Sequence, residues 1–67
     1  MERYAMNYKC IGGEHDGEVK PLAEWETWKR GKQLAFVYCN GSLNRIKVIE
    51  YNGMSNDKKI CELIKEN

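Results

Sequence analysis

A chain of 67 residues makes one domain, residues 1–67, at the size where a single hydrophobic core is barely sufficient. Its 11 basic and 10 acidic side chains leave a net charge of +1, which removes the usual electrostatic case for strong nucleic-acid or membrane binding. With 42% hydrophobic residues it belongs to folded domains rather than disordered tails, and its 3 cysteines are too few and too scattered for a disulfide framework.

Met1-Glu2-Arg3-Tyr4 lacks the apolar run of a secretory signal, and no later stretch approaches membrane-spanning length. With scattered thiols, this points to a reducing cytoplasm. Tyr4 to Ile11 then alternates: Tyr4, Met6, Tyr8 and Cys10 point one way, and the more mixed set Ala5, Asn7, Lys9 and Ile11 the other. Period two is the signature of a half-buried strand. The glycine-rich stretch Gly12 to Gly17 reads as a turn, and Glu18-Val19-Lys20 returns antiparallel to the first strand.

Pro21 suits the first position of a helix, where its missing N–H is no loss. Leu22, Trp25 and Trp28 follow at intervals of three on one face. Glu24 and Glu26 near the start and Lys29 and Arg30 near the end complement the helix dipole. Gly31 is placed to terminate a helix of about 9–10 residues.

The strongest short-range signal is a hairpin: Gln33–Cys39 and Leu43–Tyr51 flank Asn40-Gly41-Ser42. Its register has three candidates. A two-residue Asn40-Gly41 loop sets Phe36 opposite Arg45, and a Gly41-Ser42 loop pairs Val37 with Ile46. A three-residue loop pairs Phe36 with Ile46 and Leu34 with Val48, giving the cleanest apolar face, and is the expected one. The second strand changes phase from Ile46/Val48 to Ile49/Tyr51, which predicts a bulge or twist near Val48. Asn52-Gly53 ends that strand, and Ser55, Asn56 or Asp57 then caps a final short helix with Ile60, Leu63 and Ile64 as its stripe. The expected fold is α+β in the order β-β-α-β-β-α, with a small antiparallel sheet of three or four strands.

The residues that could carry chemistry are few. Cys10, His15, Cys39 and Cys61 have the right atoms for zinc, but none shows the close Cys-x-x-Cys spacing, so neither metal nor cofactor is expected. His15, between Glu14 and Asp16, is the sole candidate acid or base. Adjacent residues on a tight turn rarely converge on one substrate atom, so His15 reads as a solvated turn residue and no enzyme is expected. Lys29, Arg30 and Lys32, with Arg45 and Lys47 and the aromatics Phe36 and Tyr38 between them, would suit single-stranded nucleic acid if they shared one face. That is the alternative reading.

The favoured reading is protein binding. Trp25, Trp28, Phe36 and Tyr38 exceed what so small a core readily encloses, and surplus surface aromatics are typical interface anchors. The competing assignment, that both tryptophans are core, is nearly as strong. The hairpin could also offer an edge strand to a partner or to a second copy in a homodimer.

One local resemblance adds to this. Tyr8-Lys9-Cys10-Ile11-Gly12-Gly13-Glu14-His15-Asp16-Gly17-Glu18-Val19 resembles the opening hairpin of many short bacteriophage and prophage proteins, with an aromatic strand and a Gly-Gly-x-x-Asp-Gly turn. It covers about a fifth of the chain and excludes the Trp-bearing helix and the C-terminal segment. What it implies is a small accessory protein of a mobile element that docks on a host or bacterial protein and inhibits or modulates it, with no catalytic residues to carry over.

Overall fold

The computed structural model describes residues 5–39, 43–50 and 58–66. Its elements run β1 (Asn7–Ile11), β2 (Val19–Pro21), α1 (Leu22–Lys32), β3 (Leu34–Tyr38), β4 (Arg45–Glu50) and β5 (Lys58–Lys65). Every strand pairing is antiparallel, in the sheet order β2-β1-β5-β4-β3. The α+β class with an antiparallel sheet is therefore as expected. The described residues form five strands rather than three or four, in the order β-β-α-β-β-β.

The difference is the C-terminal segment, which is a strand and not a helix. Ile60, Leu63 and Ile64 fit a helical stripe, but the same octapeptide also alternates, with Cys61 and Leu63 buried between less buried neighbours. Tertiary context decides between the two periods. As the central strand, β5 fills the gap between β1 and β4 and pairs with both. A short helix here would leave both of those backbone edges without a partner. The proposed caps Ser55, Asn56 and Asp57, the Asn52-Gly53 stop, Tyr51, Tyr4 and the Asn40-Gly41-Ser42 loop lie outside the described residues.

The β3–β4 hairpin keeps the expected face but not the expected register. Phe36 pairs with Val48 and Tyr38 with Ile46, two positions from the favoured Phe36–Ile46 alignment. A slip of two restores the same side chains to the same face, so Leu34, Phe36, Ile46 and Val48 still share one surface. The bulge near Val48 is present: the β4–β5 register shifts between Val48 and Ile49. Val48 faces Cys61 and Ile49 faces Lys59, so the additional residue is Ile60 of β5.

Pro21 ends β2 as the extended residue before the helix (φ −62°, ψ 151°), and not as its first turn. It lies on an edge strand, where proline's missing donor does least harm. The helix runs 11 residues, straight through Gly31, and is closed by Gln33 in the left-handed conformation (φ 56°, ψ 44°). Gly31 thus spends helix-interior entropy without the positive φ that would justify glycine, and a Cβ there meets nothing within 4 Å. Gly31→Ala should stabilise the domain by about 1 kcal/mol, read as a higher urea midpoint at unchanged m-value.

Helix α1 carries the chain from β2 on one edge to β3 on the other. Its length of about 16 Å suits that crossing, because five strands at about 4.8 Å spacing span roughly 19 Å. Leu22 and Trp25 face the sheet and are fully buried with Tyr8, Cys10, Ile46, Val48 and Leu63. Met6, Trp28, Leu34, Phe36, Tyr38 and Ile60 pack around that cluster. Across the sheet, Tyr8 donates its hydroxyl proton to the Leu43 carbonyl.

Candidate protein-binding surface

Of the four aromatics expected to anchor a partner, Trp25 is fully buried and Trp28, Phe36 and Tyr38 are partly so. Trp25 is 0% exposed, and its indole N–H donates to the Tyr8 carbonyl at 3.0 Å, tying the helix to β1. Trp28, Phe36 and Tyr38 are partly buried against the same core. Sequence counting overestimated the surplus because one helix must cover a five-stranded sheet, which takes bulky rings. The tryptophans are core.

His15 also departs from its expected role. It is not a freely solvated turn residue: its ring meets Trp25 and Trp28 edge-on, at centroid distances of 5.8 and 5.3 Å. Its Nδ1 lies 2.8 Å from the Glu18 carboxylate and its side chain is 25% exposed. Hydrogen bonding to His15, and then to Lys20, holds the Glu18 carboxyl below its ordinary value. The turn that carries His15 is folded back by Asp16, whose carboxylate accepts the Gly12 N–H at 2.7 Å. Gly13 sits at φ +74°, and a Cβ there would crowd the Ile60 carbonyl at 3.2 Å. The turn is therefore a fitted cap on the two indoles.

The thiols do not meet the imidazole. Cys10 and Cys61 are buried on the helix side of β1 and β5, with the Cys10 thiol donating to the Gly12 carbonyl at 3.4 Å, whereas Cys39 follows β3 on the far edge. Burial pushes the Cys61 thiol up to about 12 and raises Cys10 as well, the behaviour of small apolar core residues. Among the described residues, no three histidine, cysteine or acidic side chains converge on a metal-sized space. The described residues also enclose no pocket.

The five basic residues of the alternative reading are divided between opposite sides. Lys29, Arg30 and Lys32 belong to the last turn of α1, where Lys29 pairs with Glu26 at 2.8 Å and Lys32 with Glu14 at 3.4 Å. Lys29 also sits over the Phe36 ring at 4.9 Å, on the covered side of the sheet. Arg45 and Lys47 point to the uncovered side, because Ile46 and Val48 between them are buried under the helix.

That uncovered side is what the sequence reading missed. Residues directly opposite in antiparallel strands share a face, so the register assembles it row by row. One row runs Val19, Lys9, Ile64, Arg45, and the next runs Ile11, Glu62, Lys47, Val37. Beyond them, Lys59 lies opposite Ile49, which lies opposite Ala35. Ile11, Val19 and Val37 are 46%, 49% and 41% exposed. The bulge matters here. In a regular strand Lys59 and Glu62 would point to opposite sides, but the extra residue Ile60 turns Lys59 to the open face, where its Nζ reaches the Glu62 carboxylate at 2.6 Å.

Glu62 also accepts from Arg45 Nε at 2.9 Å, so one carboxylate holds two cations from different strands. The Lys59 hydrogen bond, and secondarily the Arg45 charge, keep its carboxyl below the ordinary value, against the opposing effect of desolvation. A folded-state value below the unfolded one means that the unfolded chain binds more protons in acid. The stabilisation is present above the ordinary carboxylate range and is lost as pH falls through the lower folded value. The melting-temperature gap between wild type and Glu62→Gln should accordingly be widest near neutrality and close in acid, measured by thermal melts from pH 7 downward.

The described residues thus form an α+β domain with one helix on one face of an antiparallel sheet and a mixed aliphatic and basic surface on the other. No family model, curated protein or solved structure matches this chain.

Proposed function

We propose that this protein is a small non-enzymatic protein-binding module whose recognition surface is the open face of its sheet. The observation that carries the reading is the trio Ile11, Val19 and Val37, large aliphatic side chains left 41–49% exposed on a face no element covers among the described residues. Sheets bury their apolar face against a second layer, and among the described residues this sheet has a helix on one side only. The partner is a protein whose surface pairs aliphatic groups with acidic ones. The single imidazole serves as a cap on two indoles, which further supports binding over turnover. The resemblance of residues 8–19 to phage hairpins favours a partner from the bacterial host, which the module would inhibit or modulate.

The test places a photo-crosslinking amino acid at Val37, on the open face, and separately at Thr27, on the exposed side of α1. Irradiation in bacterial cells should give a discrete protein adduct from position 37, lost on Ile11→Asp, and none from position 27. No adduct from position 37, or equal adducts from both, overturns the reading.

A further inference from the structure

We infer that the open face is built for an acidic amphipathic helix, laid on the sheet as its missing second layer; this rests on the binding reading above. Within the strands, Lys9, Arg45, Lys47 and Lys59 stand against Glu62, a local excess of three positive charges in a protein whose overall charge is only +1. The charge is distributed, not clustered. Along the first row cations alternate with aliphatic side chains, Val19, Lys9, Ile64 and Arg45, and in the second Glu62 and Lys47 stand between the aliphatic Ile11 and Val37. A ligand that covers this surface must bury aliphatic groups and place carboxylates between them. An amphipathic helix with Asp or Glu flanking its apolar stripe has that pattern.

Size selects the same occupant. Five strands at about 4.8 Å spacing make a platform roughly 19 Å wide, and its strands run from 3 residues in the edge strand β2 to 8 in the central β5. A platform that narrow and uneven seats one docked helix about 10 Å across. A second copy of this chain fits poorly, because face-to-face self-docking sets the excess positive charge against itself. Nucleic acid fits poorly as well. Glu62 occupies the centre of the face, and no aromatic ring lies on it among the described residues to stack a base.

Two synthetic helical peptides of about 14 residues test the inference. They share one leucine stripe and carry glutamates or lysines beside it. With ¹⁵N-labelled protein, the glutamate peptide should shift the amides of Lys9, Ile11, Lys47 and Glu62, and the lysine peptide should not. Raising salt from about 50 to about 300 mM, or substituting Lys47→Glu, should each weaken binding by roughly tenfold. The inference falls if the lysine peptide binds equally, if the shifts map to α1, or if the glutamate peptide leaves the face unperturbed at millimolar concentration. It falls equally if oligo-dT shifts the same amides more strongly, or if sedimentation shows a dimer that Val37→Asp dissociates. Should crosslinking from Val37 trap a protein while the glutamate peptide fails, the binding reading stands and the acidic-helix assignment alone is lost.

Discussion

Trp25→Ala should unfold the domain. The indole is fully buried between helix and sheet, packs against Trp28 and His15, and donates to the Tyr8 carbonyl. Truncating a buried tryptophan costs about 3–5 kcal/mol through lost burial and the cavity that remains. A domain of this size holds roughly 3–5 kcal/mol in total, so little or nothing is left to keep the chain folded. Far-UV circular dichroism at room temperature should show a disordered chain for Trp25→Ala and a folded one for Trp25→Phe, which refills most of the volume. The open-face variants Ile11→Asp and Val37→Asp should keep the wild-type spectrum. A folded Trp25→Ala with a wild-type melt would mean that the ring is not the centre of the core.

This outcome reverses what aromatic counting suggests. Read in sequence, Trp25 and Trp28 are equally suited to an interface or a core, since both need a bulky apolar environment. The ambiguity resolves only when the area to be covered is known. With β5 read as a helix, the sheet is narrow and two tryptophans seem too many; with β5 in place, one 11-residue helix has five strands to cover, and the surplus vanishes.

Reading β5 as a helix also hides the open face of the sheet. The second face of β1 (Asn7, Lys9, Ile11) was legible from alternation alone, as were Arg45 and Lys47 beside it in kind. The strand that joins them, carrying Glu62 and Ile64, also fits a helical stripe in sequence, and read as a helix it leaves the two halves apart. What made the first two strands, α1 and the hairpin readable was local: turn glycines, a period of two, and a Leu-Trp-Trp spacing of three. What made β5 unreadable was non-local, because its strand character depends on being bonded on both sides. The bulge is an intermediate case. Its position at Val48 was visible as a phase change, but the extra residue belongs to β5, which no local pattern revealed.

The identity of β5 can be tested by a pair of adjacent substitutions with unequal effects. In a helix carrying Ile60, Leu63 and Ile64 on one stripe, Leu63 and Ile64 would be equivalent, and alanine at either would cost a similar amount. In the strand they face opposite sides. Leu63 is fully buried between Cys10 and Ile46, whereas Ile64 lies on the open face between Lys9 and Arg45. Leu63→Ala should therefore cost about 2–5 kcal/mol, comparable to the whole stability of so small a domain. Ile64→Ala should cost well under half as much, because its side chain already meets solvent and leaves no closed cavity. Urea melts of the two variants should separate widely, with Leu63→Ala largely unfolded before denaturant is added. Ile64→Ala should instead weaken binding of the glutamate peptide, since the aliphatic group it removes stands at the middle of that face. Equal destabilisation by the two variants would return the segment to a helix and dissolve the open face with it.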